Sequence, residues 1–283
     1  MIKQLGVLAV RFHLVIATAC TAQGAYLGTA ITGKVDLSAL AALWLCAWFV
    51  YTLDRFVVHP EDQAGAATDL NVLRYARRHR RLFWGLLVAA VLAQGVLGAF
   101  TPRLTVGLVW GDLLGSAYIL QFPGLPFRLK RVPYFKVVYV PVVAVSTELL
   151  LIGQWHLSVA QCAAVVGVLM ICVLNTAVCD IKDIDADRTA GIRTLANTWG
   201  RADVLRAAQL VAICVALALS GLARMDFHVI ATAVTLLVLA AVMGVLRVRA
   251  QVPAAFYLVL LDGLIGAPWP LDLLVEYARQ QLA

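Results

Sequence analysis

The chain has 283 residues, of which 62% are hydrophobic and 14% are charged, and its formal net charge is +7. This balance excludes an ordinary soluble domain, in which about 25% of the residues are charged. A positive charge can indicate nucleic-acid binding, but these cations lie in short links between apolar segments, so we predict no nucleic-acid partner. The composition favours an integral membrane protein.

Apolar segments long enough to cross a bilayer recur along the whole chain, each about 20 residues for roughly 30 Å of hydrocarbon. Lipid excludes unpaired backbone groups, and the segments lack the alternation of barrel strands, so we predict an all-α polytopic bundle. Two four-helix halves plus one further helix are expected to form a single membrane domain of residues 1–283. The nine predicted transmembrane helices cover approximately residues 8–31, 37–57, 82–100, 104–122, 137–153, 157–179, 204–222, 227–246 and 252–275.

Lysine and arginine are concentrated in the links that follow the second, fourth, sixth and eighth predicted helices. Those links contain sixteen of these cations, whereas the opposite links contain three. Because positive residues stay on the cytoplasmic side, the N-terminus and the even-numbered links are predicted to be cytoplasmic and the C-terminus external. We therefore expect a multi-pass protein of the bacterial inner membrane.

The most specific signal is the stretch of residues 175–200, NTAVCDIKDIDADRTAGIRTLANTWG. Asp180, Asp183 and Asp187 are spaced i, i+3 and i+7, which places them on one face of a helix and turns Asp185 elsewhere. Three close carboxylates repel one another unless a cation compensates them, and such oxygen ligands suit Mg²⁺ that bridges to phosphate. A solvated acidic turn at a helix end remains the alternative.

A second signal is the basic link of residues 122–136, FPGLPFRLKRVPYFK. Its prolines and glycine end the fourth helix, and four cations follow close to the membrane surface. Such groups can hold a diphosphate through charge-assisted hydrogen bonds, or they can simply retain the link in the cytoplasm. The cations are Arg128, Lys130, Arg131 and Lys136.

Together these two stretches resemble the UbiA superfamily of intramembrane prenyltransferases. The pattern D-x-x-D-x-x-x-D with a following G-x-[KR]-[ST] is matched by Asp180, Asp183, Asp187, Gly191, Arg193 and Thr194. The pattern Y-x-x-P-P…K-R…K is approached by Tyr118, Pro126, Lys130, Arg131 and Lys136. The resemblance implies that Lys130, Arg131, Lys136 and Arg193 bind a prenyl diphosphate. It also implies that the acidic motif holds Mg²⁺.

The first acidic motif of the superfamily, N-D-x-x-D-x-x-x-D, is degenerate in this chain. Of its positions only Asp54 matches, at the end of the second predicted helix. We predict that Asp54 joins the metal site, with Glu61 or Asp62 supplying a further carboxylate. An ion pair between Asp54 and a basic neighbour such as Arg55 is the alternative.

Further polar residues in the apolar segments are candidates for the substrate cavity. Tyr118, Tyr139 and Asn175 are predicted to contact substrate, although aromatic residues at helix ends are often interfacial anchors. Carboxylates in hydrocarbon are costly unless they are paired, protonated or turned toward a wet cavity. Asp112, Glu148 and Asp262 are therefore candidates for the acceptor pocket, with hydrogen-bonded structural roles as the alternative.

The resemblance implies Mg²⁺-dependent transfer of a prenyl group from an isoprenyl diphosphate to a lipophilic acceptor, such as an aromatic compound, with release of pyrophosphate. The catalytic and metal-binding residues would be Asp54, Asp180, Asp183 and Asp187. Two alternatives remain. The degenerate first motif is compatible with a membrane terpene cyclase of the same superfamily, and the scaffold is compatible with a noncatalytic lipid-binding or transport protein.

Overall fold

A computed structural model of the chain describes residues 12–57, 75, 78–121, 128–222, 226–249, 252 and 256–282, and no β-strand occurs among them. The all-α prediction is confirmed. Eight long helices follow in order: α1 (Leu14–Thr32), α2 (Leu37–Phe56), α3 (Arg80–Phe100), α4 (Arg103–Ile119), α5 (Phe135–Ile152), α6 (Val159–Cys179), α7 (Arg201–Leu222) and α8 (His228–Val248).

The ends of these helices follow from local capping signals. The side chain of Asp36 accepts hydrogen bonds from the backbone N–H groups of Ser38 and Ala39, and so begins α2. Ser158 and Gln161 form a reciprocal capping box that begins α6. Gly33 and Gly153 end α1 and α5 at φ angles of 72° and 74°, a left-handed conformation that costs glycine little.

The protein is an integral membrane protein. Within the described ranges, seven helices are long and apolar enough to cross a bilayer, namely α1, α2, α3, α5, α6, α7 and α8. Helix α4 corresponds to the fourth predicted span but has 17 residues. Since the ninth predicted span is also irregular, the number nine stays a prediction.

The segment predicted as the ninth span is not one continuous helix. A π-helical turn covers Tyr257–Leu261, a short α-helix covers Asp262–Ile265, and helix α9 (Pro268–Leu282) begins after a turn. Gly266 follows the short helix and packs so closely that a Cβ there would lie 2.9 Å from the carbonyl oxygen of Ala19. Pro268 then occupies the first position of α9, where a missing N–H costs nothing.

The helices pack largely against their neighbours in sequence. Helix α2 contacts α1, α3 and α4, while α6 contacts α5, α7 and α8; α4 joins α5, and α9 packs on α8 and α1. The largest apolar core lies between α6, α7 and α8. Many large apolar side chains on the outer faces of the bundle are exposed, as expected where a helix faces lipid.

The helix α4 approaches its neighbours through glycines spaced four residues apart, at Gly107, Gly111 and Gly115. A Cβ at Gly111 would lie 2.6 Å from the sulfur of Cys46, and one at Gly115 would lie 2.6 Å from a methyl group of Val50. Small residues of this kind allow membrane helices to pack closely. They bring α4 against α2 at the wall of the cavity described next.

Candidate active site

A cavity of about 290 Å³ lies between α2, α4, α5 and α6. Its mouth is charged, with Asp54, Lys130, Lys136, Lys182, Asp183 and Asp187 around it. Its deep part is mainly apolar and ends near Leu43, Cys46 and Thr147. Eleven residues of α5 separate Lys136 from Thr147, a rise of about 17 Å. The cavity is therefore polar at one end and apolar at the other, as an amphiphilic ligand requires.

Three carboxylates at or beside the mouth are paired with lysines that come from other segments or from the adjacent residue. Lys136, in the first turn of α5, forms an ion pair with Asp180. The Nζ atom of Lys130 lies 3.5 Å from Oδ1 of Asp54, and that of Lys182 lies 2.9 Å from Oδ2 of Asp183. Asp54 is thus paired with a cation of the basic link.

The acidic motif does not form the regular α-helix that its spacing predicts. Asp180 to Asp183 form a 3₁₀-helix at the end of α6, and an α-helix resumes at Ile184–Thr189. The prediction of a single helical face was therefore wrong in its local geometry. The tighter turn nevertheless leaves Asp183 and Asp187 at the cavity and Asp185 exposed and away from it.

Asp180 lies beside a small pocket that adjoins the cavity mouth. Lys130, Lys136 and Asp187 line both spaces, whereas Asp180 and Arg193 line only the smaller one. The side chain of Asp180 is completely buried. The structure therefore brings the second acidic motif, Lys130, Lys136 and Arg193 to one region, with Asp54 on the wall of the main cavity.

The other cations of the link point elsewhere. Arg131 is exposed and lines neither space, although it was predicted to bind diphosphate. Arg128 is buried, and its guanidinium donates to the carbonyl oxygen of Ile119 at the end of α4. Burial lowers the pKa of Arg128. Arg128, Lys130 and Arg131, at the start of and within a short 3₁₀-helix (Leu129–Arg131), thus point in different directions, which composition alone does not reveal.

The loop after the acidic motif places Arg193 by backbone geometry. Gly191 has a φ angle of 70°, which explains why a glycine begins the G-x-R-T sequence. The carbonyl oxygen of Arg193 accepts a hydrogen bond from the N–H of Tyr134, at 3.0 Å. Thr194 and Asn197 form a capping box for the short helix Leu195–Trp199. The loop is therefore attached to the basic link.

Two tyrosines predicted to contact substrate stand together at the cavity wall. The rings of Tyr118 and Tyr139 stack with their centroids 5.5 Å apart. The hydroxyl of Tyr139 donates to the carbonyl oxygen of Leu114, at 2.9 Å. The buried hydroxyl of Tyr118 has no hydrogen-bond partner among the described residues. Tyr118 therefore keeps a donor for a ligand at the mouth.

Below the charged mouth the cavity has a second polar level. The amide of Asn175 and the thiol of Cys179 donate to Oδ1 of Asp262, at 3.5 and 3.7 Å. All three residues line the cavity. The sequence analysis names Asn175 as a substrate contact and Asp262 only as one of three intramembrane carboxylates. No sequence signal connects Asp262 with α6, because the two are 83 residues or more apart.

The other two intramembrane carboxylates differ in their relation to the cavity. Glu148 lines its deep part, where Gln23 donates to it at 3.3 Å, and its Oε1 atom has no partner among the described residues. Asp112 does not line the cavity, and it accepts a hydrogen bond from Gln94 when that amide is turned to satisfy its surroundings. Only Glu148 and Asp262 therefore fit the prediction of a cavity position.

A divalent cation fits part of the mouth. Buried Oδ2 atoms of Asp180 and Asp187 lack hydrogen-bond partners within the described part of the chain, and both are hard oxygen ligands of the kind Mg²⁺ prefers. Burial and the nearby carboxylates of Asp180 and Asp183 raise the pKa of Asp187 to about 7, against the opposing effect of Lys136 and Lys130. A cation would relieve that repulsion.

The described side chains do not form a complete metal site by themselves. No group of three or more His, Cys, Asp or Glu residues in the described ranges is close enough together to hold an ion. The predicted site of Asp54, Asp180, Asp183 and Asp187 is therefore not preassembled, because lysines pair with three of the four. Glu61, Asp62 and Pro126 lie outside the described residues.

The fold matches solved structures of UbiA homologues. The TM-score is 0.65 for the Archaeoglobus fulgidus homologue bound to GPP and Mg²⁺, and also for the same protein bound to DMAPP and Mg²⁺; each is 15% identical over 94% of this chain and 98% of that chain. For the apo homologue from Aeropyrum pernix K1 the TM-score is 0.56, with 17% identity over 93% and 98%. Sequence comparisons with protein-family profiles and with curated proteins give no match. The chain thus has the UbiA fold, and the resemblance drawn from its motifs is confirmed at the level of the fold.

Proposed function

We propose that this protein is a divergent UbiA-type prenyltransferase, which transfers a prenyl group from an isoprenyl diphosphate to a lipophilic acceptor inside the membrane. The observation that carries the proposal is the cavity, in which lysines and carboxylates surround one end and apolar side chains surround the other. The A. fulgidus homologue of the same fold was solved with GPP or DMAPP and Mg²⁺. A prenyl diphosphate has the matching shape, with an anionic head and an apolar chain.

The anionic head would be bound by Lys130, Lys136 and the hydroxyl of Tyr118, with Arg193 reaching it through the adjoining pocket. Charge-assisted hydrogen bonds of this type hold phosphate oxygens and stabilise the charge that develops on a leaving diphosphate. Asp180, Asp183, Asp187 and Asp54 would hold Mg²⁺. When bound there, the metal neutralises the diphosphate and stabilises the pyrophosphate leaving group.

The apolar part of the cavity would hold the chain and keep water from the reacting carbon. Breaking the bond between C1 and the bridging oxygen leaves an allylic cation, which the faces of Tyr51, Tyr118 and Tyr139 can stabilise. The acceptor then forms a bond to C1 and loses a proton. The residues at the mouth thus bind and activate the leaving group, while the apolar residues protect the intermediate.

The orientation proposed for the enzyme places this mouth on the cytoplasmic side of a bacterial inner membrane. The charge bias of the links supports this orientation. A water-soluble diphosphate head would then enter from the cytoplasm, and a lipophilic acceptor would enter from the bilayer. The domain of residues 1–283 is proposed to act as one unit.

One set of parallel incubations tests the function. Purified protein in lipid nanodiscs would receive labelled geranyl diphosphate, with and without Mg²⁺ and with and without a membrane-lipid extract. Prenyl transfer predicts Mg²⁺-dependent release of pyrophosphate and a labelled product that requires the extract. A cyclised hydrocarbon formed without the extract would identify a terpene cyclase, and no pyrophosphate release under any condition would identify a noncatalytic protein.

A further inference from the structure

Glu148 lies at the deep end of the cavity, opposite the charged mouth. It is the last residue of α5 to line the cavity, and it follows Lys136 at the mouth by twelve positions, a rise of about 18 Å. On the neighbouring helices the lining also stops at this depth, at Leu43 of α2 and at Gly111 of α4. The side chain of Glu148 therefore belongs to the floor of the cavity, where the end of a long bound chain would rest.

Behind Glu148 a polar contact joins three helices. The amide of Gln23 on α1 donates to Oε2 of Glu148 and to the sulfur of Cys172 on α6, both at 3.3 Å. The thiol of Cys172 donates in turn to Oε1 of Gln23, at 3.4 Å. Gln23 and Cys172 are buried and do not line the cavity. The contact therefore closes the cavity at this depth and holds the carboxyl group of Glu148 at the floor.

The floor differs in polarity from the wall directly above it. Along α5 the wall consists of Val140, Val143 and Ala144, which favour an apolar chain. The Oε1 atom of Glu148 is buried and has no hydrogen-bond partner in the described part of the chain. A buried polar atom gains from a hydrogen-bond donor and gains nothing from a methyl group. An apolar chain end that packs against Glu148 would leave this oxygen unsatisfied, so contact with the floor is unfavourable.

The distance from mouth to floor can be compared with the length of a prenyl chain. An extended chain advances roughly 1.2 Å per bond, so an isoprene unit of four bonds adds about 5 Å. A geranyl chain then extends about 10 Å and a geranylgeranyl chain about 20 Å. The floor lies about 18 Å from Lys136 along α5. Along α6 it lies about 12 Å from Asp180, since Cys172 precedes that residue by eight positions. A geranyl chain bound at the mouth thus ends above Glu148, whereas a geranylgeranyl chain reaches it.

We propose that Glu148 determines the length of prenyl chain that the cavity accepts. This inference rests on the proposed prenyl transfer and specifies the donor as a short isoprenyl diphosphate, such as geranyl diphosphate. The apolar wall binds the chain, and the carboxyl group disfavours chains that extend past that wall. Glu148 touches no reacting atom and acts only on the binding of the chain. Gln23 is a positioning residue, because its amide holds the carboxyl group at the floor.

Two substitutions of similar volume separate the polarity of the floor from its size. Glu148→Gln keeps a polar group there, whereas Glu148→Leu replaces it with an apolar one. Dissociation constants for geranyl, farnesyl and geranylgeranyl diphosphate are measured for each protein in lipid nanodiscs with Mg²⁺. The readout is the ratio of the constants for the longest and the shortest chain, because partition of the longer diphosphate into the same lipid affects every ratio equally. Asp112→Leu is the matched control, since Asp112 is an intramembrane carboxylate that does not line the cavity.

Glu148→Leu should shift the ratio about tenfold or more in favour of geranylgeranyl diphosphate, since it removes an unsatisfied polar group from the contact with the chain end. Farnesyl diphosphate should show a smaller shift. Glu148→Gln and Asp112→Leu should keep the wild-type ratio within about threefold, and unchanged binding of geranyl diphosphate shows that every variant is folded. A ratio for Glu148→Leu within threefold of the wild type overturns the inference, and so does an equal shift in Asp112→Leu. If none of the three diphosphates binds the wild type, the proposed function itself is rejected, and the inference with it.

Discussion

Lys136 in the first turn of α5 forms an ion pair with Asp180 at the end of α6, and the carboxylate of Asp180 is completely buried. This pair joins the basic link to the acidic motif and orients both toward one mouth. Lys136, the cation of this pair, is also a candidate to bind the diphosphate. Because one residue serves both purposes, a substitution there should affect substrate binding and stability together.

The two lysines at the mouth are expected to bind diphosphate more strongly than Arg131. Lys130→Gln and Lys136→Gln should each weaken the binding of geranyl diphosphate by about 10- to 100-fold, since each removes hydrogen bonds to a charged group. Arg131→Gln should change it less than threefold, because Arg131 is exposed and lines neither space. Isothermal titration in the presence of Mg²⁺ measures all three. Equal losses for Arg131→Gln and Lys130→Gln would contradict this division of roles.

Asp183 and Asp185 form a matched pair for the acidic motif. Asp183→Asn should lower Mg²⁺-dependent pyrophosphate release by about 10²- to 10³-fold, since it removes a charged ligand while keeping an oxygen. Asp185→Asn should be mild, because Asp185 is exposed and away from the cavity. The measurement is the steady-state rate of pyrophosphate release by each variant and by the wild type at saturating geranyl diphosphate. If both variants lose activity equally, the assignment of one side of this turn to the metal is mistaken.

The pKa of Asp187, raised to about 7, predicts that Mg²⁺ binding depends on pH. The metal takes the deprotonated carboxylate, so its affinity should rise as the pH increases from 6 to 8 and then level off. The increase should be at most about tenfold per pH unit for a single proton. Metal titrations at several pH values measure this, and Asp187→Asn should remove the dependence. A wild-type affinity that is constant from pH 6 to 8 would rule out this role for Asp187.

The same pKa has a consequence for stability without metal. Because the folded state raises the pKa of Asp187 above its ordinary value near 4, the folded state binds more protons than the unfolded state between about pH 4 and 7. The free energy of unfolding contributed by this residue should therefore fall as the pH rises through that range. Mg²⁺ should offset the loss, which thermal melts with and without the metal can show.

Membrane orientation can be tested with single cysteines in a background from which the six native cysteines are removed. We expect Asp185→Cys to react with a membrane-impermeant reagent from the cytoplasmic side and Gln280→Cys to react from the opposite side. The reason is the charge bias of the links together with the three predicted crossings between the two positions. Inverted and right-side-out vesicles provide the two directions. Labelling of both positions from the same side would reject the predicted topology.

The long apolar helices could be predicted from the sequence because a bilayer imposes length and composition directly. The break before α9 could not, since Gly266 and Pro268 interrupt a segment that remains apolar throughout. The 3₁₀-helix at Asp180 was missed for a related reason, because carboxylate spacing does not distinguish it from an α-helix. Side-chain direction within the basic link was equally hidden. Lys130 and Arg131 are adjacent and chemically alike, yet only Lys130 lines the cavity.

The length of α4 has a consequence for the surrounding lipid. Its 17 residues extend about 25 Å, some 5 Å less than a typical hydrocarbon core. If α4 crosses the bilayer as the sequence predicts, local thinning of the bilayer accommodates it, at a cost of a fraction of a kcal/mol for each ångström of mismatch. The glycines of α4 hold it against α2 at the cavity wall, so this mismatch would lie next to the proposed substrate site. Lipids with longer acyl chains should therefore increase the strain that the mismatch places on the cavity wall, and lipids with shorter chains should reduce it.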